Sequence, residues 1–288
     1  MRTERVEFVA EVSSNHAQDL QHCLNFIRSA VAIGCNAVKF QLFKLEHLFA
    51  PEILSKSREH LKRKSWELPE EFLPELAAFS REKAVLFSCT PFYLDAVGKL
   101  FPHVDFYKIA SYELLWDELL VLCAQTGKPV VLSTGMATMK EIVHATEVLR
   151  RNGCHDLTLL HCVSSYPTPV DECHLAAMEI LQKSLGCPVG WSDHSVVPAV
   201  IHRAVHRWGA SMIEFHLDLD GKGAEYFSGH CWLPEQIEQV ISDVRQGLIA
   251  DGKGVKQPAP SEKSDRMWRA DPSDGLRPLK TIRNHWDG

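Results

Sequence analysis

Pro188-Val189-Gly190-Trp191-Ser192-Asp193-His194-Ser195 is a short apolar run that ends abruptly in polar side chains, with helical spacing resuming at Pro198. Met212-Ile213-Glu214-Phe215-His216 repeats the pattern one unit later. A buried strand that stops in reactive side chains and feeds a helix is the unit of a parallel sheet, whose functional groups gather at the carboxyl ends of the strands. Two such units in succession place His194 and His216 at neighbouring strand ends, where both can reach one divalent cation.

Outward from this stretch the same alternation runs through the chain. Strand patterns cover residues 6–12, 36–41, 84–89, 105–110, 129–132, 157–163, 189–191 and 211–217. Helical spacing of apolar residues covers 20–33, 69–83, 94–100, 114–126, 139–152, 175–185, 198–208 and 234–249. Eight βα units predict an α/β fold, a (β/α)8 TIM barrel, over residues 1–250. An open doubly wound sheet is the other topology, but no glycine-rich phosphate fingerprint follows the first strand. A polar excursion over 43–68 is longer than an ordinary connection. Residues 251–288 are rich in Pro, Gly and charge without periodicity, and read as an irregular C-terminal extension.

With 288 residues, 45% of them hydrophobic, the chain can bury a large core. A net charge of −6 gives no electrostatic footprint for nucleic acid. Nine cysteines without a CxxC pair, several inside apolar runs, suit a reducing compartment. No signal-peptide core or run of spanning length occurs, so the expectation is a cytoplasmic protein without membrane contact.

The strand ends carry most of the chemistry. The first ends in Glu11, the second in Lys39 and Gln41, the third in Thr90. The fourth offers Lys108 and Ser111, the fifth Ser133 and Thr134, the sixth His161, Ser164 and Tyr166. The seventh supplies Ser192, Asp193 and His194, the eighth Glu214 and His216. A Ser or Thr at a strand end is usually a helix cap. Lys39 and Lys108 are different, because an ammonium inside an apolar strand is costly to bury unless something compensates it. Two cations in one mouth ringed by hydroxyls suit an anion such as a phosphate or carboxylate. Glu11, Asp193 and Glu214 are the candidate acid–base groups or counter-charges. Together these describe metal-assisted chemistry on a phosphorylated small molecule.

Seven stretches, in order, resemble the sialic acid synthase family: Ala10-Glu11-Val12-Ser13-Ser14-Asn15-His16, residues 34–41, Lys108-Ile109-Ala110-Ser111, residues 128–136, residues 160–168, Gly190-Trp191-Ser192-Asp193-His194, and Glu214-Phe215-His216. The resemblance covers residues 6–249. It implies condensation of phosphoenolpyruvate with an amino-sugar such as N-acetylmannosamine to a nonulosonic 3-deoxy-2-keto acid. It implies Mn2+ or Mg2+ on His194 and His216. Lys39, Thr90, Lys108, Ser111, Ser133 and Ser192 would bind phosphoenolpyruvate. Catalysis would fall to Glu11, with Glu214 and Asp193, and the sugar to Gln41, Ser164, Tyr166 and Glu225.

The chain departs from the family pattern in three places. Ser164 stands where the family has Asn, Glu214-Phe215-His216-Leu217 where it has Glu-Lys-His-Phe, and Gly223–His230 where it has Gly-Pro-Asp-His. The family's C-terminal antifreeze-like domain, which lends an arginine to the partner subunit, has no counterpart in the tail with Arg266, Arg269 and Arg277. A homodimer is implied by resemblance alone. Two other readings stay open: a metal-dependent pyruvate aldolase or lyase on the same barrel, and a non-catalytic binding subunit.

Overall fold

The computed structural model describes residues 6–286. Eight strands run in parallel: β1 (Glu7–Glu11), β2 (Ala37–Leu42), β3 (Leu86–Pro91), β4 (Phe106–Ile109), β5 (Val130–Ser133), β6 (Leu157–Cys162), β7 (Val189–Asp193) and β8 (Met212–Leu217). Each pairs with the next. β1 also pairs with β8, from Glu7 beside Met212 to Glu11 beside His216, so the sheet closes on itself. The (β/α)8 barrel is therefore the fold. Its outer helices are α1 (Leu20–Ala32), α2 (Leu73–Glu82), α3 (Leu94–Leu100), α4 (Asp117–Gln125), α5 (Met139–Arg151), α6 (Ala177–Leu185), α7 (Pro198–His206) and α8 (Pro234–Asp251).

Local chemistry sets several of these boundaries. Asp19 caps α1 by accepting from the His22 amide. Thr138 and Glu141 form a reciprocal capping box on α5. α6 stops at Gly186, whose φ of 64° is the left-handed conformation glycine tolerates. α4 starts three residues later than its spacing predicts, because Ser111–Glu113 turns as a 3-10 helix. β7 runs two residues further than expected, through Ser192 and Asp193.

Side chains alternate across each strand, and the barrel uses both faces. One set, including Phe8, Phe40, Trp191 and Phe215, packs in the large core that also takes up the helices. The other set closes a small separate layer inside the barrel: Val9, Ala37, Phe106, Val131, Leu160 and Met212. Gly190 belongs to the inward face of β7, and a Cβ there would meet the Met212 carbonyl oxygen at 2.3 Å and Leu160 Cδ2 at 2.6 Å. Backbone of a paired strand cannot yield, so Gly190→Ala is expected to cost about 1–3 kcal/mol of unfolding free energy by overpacking. Urea denaturation measures this; an unchanged midpoint would remove the close-approach account.

A ninth strand, β9 (Cys231–Trp232), has no sequence signal, being two residues long. It pairs with the end of β8 just beyond the β7 pairing, which stops at Phe215, and sets His216 beside Cys231 and Leu217 beside Trp232. The excursion after β2 holds three short helices, Leu45–Leu48, Pro51–Leu54 and Arg58–Lys62. It is tied back to the loop after β1 by His16 Nε2 against the Trp66 carbonyl (3.1 Å) and by Gln18 Nε2, which donates to the Glu67 carbonyl (2.9 Å).

By internal contacts the chain divides into Met1–Leu248 and Ile249–Gly288. The second unit carries the short helices Lys263–Arg266 and Lys280–Arg283. Asp271 organises it by accepting from the Ser273 amide and hydroxyl and from the Lys280 amide. Among the described residues no helix is long and apolar enough to cross a membrane.

Candidate active site

Two residues beyond each member of the apolar layer, on the same inward face, stand Glu11, Lys39, Lys108, Ser133, Cys162 and Glu214. Thr90 on β3 and Ser192 on β7 complete the tier, and all eight line one cleft. The apolar layer is thus the floor of the cleft. One further step along the strands gives Gln41 and His216, with His194 just past β7, and the connecting loops add Ser111, Tyr112 and Tyr166.

The sequence leaves Lys39 and Lys108 without partners; the structure gives both one. Lys39 pairs with Glu11, lies 3.8 Å from Glu214 and donates to Thr90 Oγ1 at 3.3 Å. Lys108 has an ion pair with Glu214 at 3.3 Å, and Glu214 also accepts from Ser192 Oγ at 3.0 Å. Gln41 Nε2 donates to Glu11 Oε1 at 2.8 Å. Burial pushes the Lys39 ammonium down, but Glu11 and Glu214 outweigh it and its pKa lies above the ordinary lysine value. For Lys108 burial prevails over Glu214, and its pKa is lowered. Burial raises Glu214, yet Lys108 and Lys39 together pull it below the usual carboxylate range. Ser133 Oγ is buried with no hydrogen-bond partner among the described residues. An ammonium carries three donors, so neither lysine is saturated by one carboxylate, and a bound anion can share them.

Gly135 brings the backbone to the cleft wall: its amide donates to Ser111 Oγ at 2.9 Å. A Cβ at this position would meet Ser164 Oγ at 2.4 Å. Ser164, expected among the sugar contacts, is not among the residues that line the cleft, and its Oγ stands beside Gly135.

Asp193 is placed elsewhere than the sequence suggests. It is on the outward face of β7 with Trp191 and is fully buried. Its carboxylate accepts from Trp191 Nε1, Ser195 N and Oγ, Val196 N and Trp232 Nε1. With every lone-pair direction used, it holds the β7 turn and β9 together and is not available for acid–base work.

His194 lines the cleft with its Nδ1 2.8 Å from the Val163 carbonyl. Burial, reinforced by His216, lowers its pKa to about 3, so the ring is neutral. Its ring lies 5.4 Å from that of His216. The tightest group of donors, however, forms on the other side of His216. One ligand atom each of His216, Glu225, His230 and Cys231 lie within 4.8 Å of one another. His216 Nδ1 is 2.8 Å and His230 Nε2 3.5 Å from Glu225 Oε2. Glu225 Oε1 is fixed by the Ser14 amide (3.1 Å) and hydroxyl (2.6 Å). Glu225, expected to contact the sugar, thus belongs to this group, and His194 does not. Two imidazoles, a carboxylate and a thiol at this spacing fit a divalent metal ion. His230 and Cys231 escape sequence reasoning because they follow Gly229 in a stretch with no period. Glu113 escapes it too: its Oε2 is buried without a hydrogen bond, and burial pushes its carboxyl up to about 8.

Comparison with known proteins matches residues 26–256 to the family model described as NeuB family. An uncharacterized protein of Methanocaldococcus jannaschii is 36% identical over 88% of this chain and 74% of its own length. The N,N'-diacetyllegionaminic acid synthase of Campylobacter jejuni is 31% identical over 89% of this chain and 80% of its own. Among solved structures, the N-acetylneuraminic acid (sialic acid) synthetase of Leptospira borgpetersenii, in complex with citrate, superposes with a TM-score of 0.80. It is 30% identical and matches over 91% of this chain and 90% of that one.

Proposed function

The chain belongs to the NeuB family, and from that premise we propose that it joins phosphoenolpyruvate to an amino-sugar or related aldose, yielding a sialic-type 3-deoxy-2-keto acid and phosphate. The observation that carries this reading is the tier of Lys39, Lys108 and Ser133 beside Glu11 and Glu214, directly above an apolar floor. Cations and hydroxyls at that depth act on an anion that has shed its water, where each charge-assisted hydrogen bond counts for more. The legionaminic acid and sialic acid relatives support the same substrate class.

In this mechanism Lys108, Ser133, Ser111 and Ser192 hold the phosphate and carboxylate of phosphoenolpyruvate, with Lys39 kept in place by Glu11 and Thr90. Gln41 and Tyr166 face the sugar from the upper wall of the cleft. C3 of phosphoenolpyruvate attacks the open-chain aldehyde carbon, and positive charge develops at C2. Glu11 stabilises that charge and orients the water that captures it; phosphate then leaves with C–O cleavage. A divalent cation held by His216, Glu225, His230 and Cys231 would supply Lewis acidity toward the aldehyde oxygen. A homodimer belongs to the same proposal, and light scattering tests it.

Glu11→Gln is expected to lower kcat roughly a hundred-fold, because it removes a charge that acts where the transition state is cationic. Its KM for phosphoenolpyruvate should change little. A variant with full turnover removes Glu11 from the mechanism. The decisive assay is phosphate release from phosphoenolpyruvate, with Mn2+, Mg2+ or Zn2+ in separate arms, against N-acetylmannosamine, mannose, their 6-phosphates and diamino-sugars. Release with one sugar, abolished by chelation and by His216→Ala, is the expected result. No release and no phosphoenolpyruvate binding overturns it. Pyruvate-dependent inactivation by borohydride would instead favour an aldolase built on Lys108, the lysine whose pKa is lowered.

A further inference from the structure

The donor group beside His216 contains a thiol, and that changes which cation it suits. Cys231 is placed by register: β9 pairs it with His216 across parallel strands, so the two side chains project to the same side. Its Sγ is buried, receives Asn15 Nδ2 at 3.6 Å and lies 3.8 Å from Glu225 Oε2. Asn15 is itself anchored by donating to the Leu217 carbonyl at 3.1 Å. The preceding Gly229, with φ of 87°, turns the chain so that His230 and Cys231, adjacent in sequence, both reach Glu225. Three elements therefore fix the thiol: a ladder, an amide and a turn.

We propose that Cys231 binds this site's cation as a thiolate and makes the site select Zn2+, Fe2+ or Co2+ over Mg2+ and Mn2+. Two imidazoles, one carboxylate and one thiolate form an N2OS set of the kind that borderline and thiophilic ions take. Mg2+ demands oxygen ligands and keeps several waters, which a buried thiol and two imidazoles cannot replace. Charge balance agrees. On binding, the S–H bond gives up its proton to solvent and the S–metal bond forms. The thiolate and the Glu225 carboxylate then neutralise the divalent charge, leaving no net charge in a buried site. The inference rests on the synthase reading for the use of the cation but not for its binding.

The test is a titration of chelator-treated full-length protein with Co2+, read by near-ultraviolet absorption. One equivalent with a sulfur-to-cobalt charge-transfer band is expected, displaced by Zn2+ and untouched by a large excess of Mg2+. Cys231→Ser should lose the band and bind Zn2+ roughly a hundred-fold more weakly, while its affinity for Mn2+ changes far less. Circular dichroism of Cys231→Ser confirms that it is folded, and the wild-type spectrum stands without it. Stoichiometric Co2+ without the band overturns the proposal, as does unchanged Zn2+ affinity in Cys231→Ser. A band present in a protein that neither binds phosphoenolpyruvate nor releases phosphate from it sinks the synthase reading and leaves this one standing.

Discussion

Glu214→Gln is expected to lower the unfolding free energy by about 3–5 kcal/mol, the cost of breaking a buried ion pair by removing one partner. Glu214 is shared: Lys108 lies 3.3 Å away, Lys39 3.8 Å, and Ser192 donates to it. Glutamine keeps the shape and the hydrogen bond from Ser192, so the loss reports charge. Two ammonium groups would then share the single carboxylate of Glu11. The same argument predicts a rescue. Phosphoenolpyruvate returns negative charge to the tier, so it should raise the unfolding midpoint of Glu214→Gln more than that of the wild type. Thermal denaturation with and without the ligand reads both effects. An unchanged midpoint without ligand means the pair contributes nothing; equal upshifts mean the anion binds away from the lysines.

Asp193→Ala is the second large effect, and it separates architecture from chemistry. Removing a buried carboxylate that accepts from two indoles, one hydroxyl and two amides strands all five donors. A loss of about 4 kcal/mol follows, the range reserved for broken buried networks. For a chain of this size that is on the order of 10 °C in melting temperature. Turnover measured well below the midpoint should change far less than stability does. A hundred-fold loss of kcat with an unaltered midpoint would return Asp193 to the catalytic set.

Asp193 also shows what was legible and what was not. The eight βα units and the polar strand ends are visible as alternating patterns, and they suffice for the barrel and for most of the cleft. Counting by two from Gly190 places Ser192 and His194 inward and Asp193 outward with Trp191. Parity therefore distinguishes the lining residues from the bracing one once the strand is known to continue past Trp191. The strand end was hidden because polar residues in a barrel interior look like a loop. The donor group is a different matter. His230 and Cys231 meet His216 through a two-residue strand and a glycine turn, and pairing between segments so short leaves no period to read. The partners of Lys39 and Lys108 are likewise in view as Glu11 and Glu214, but register is needed to set Glu11 beside Lys39, and barrel closure to bring Glu214 of β8 to Lys108 of β4.

Ser14 and Glu225, joined by a 2.6 Å hydrogen bond, lie 211 residues apart. Asn15 reaches Cys231 across 216. These bonds sit at the seam where the first strand meets the last, and the donor group hangs from them. During synthesis the seam cannot close until residues beyond 231 have left the ribosome, since closure of so long a loop must precede the contacts that reward it. A nascent chain that reaches Met212 already carries every residue of the apolar floor, but it lacks β9 and the partners of Ser14 and Asn15. The join between the two ends of the barrel is therefore made last, long after the strands between them can pair with their neighbours.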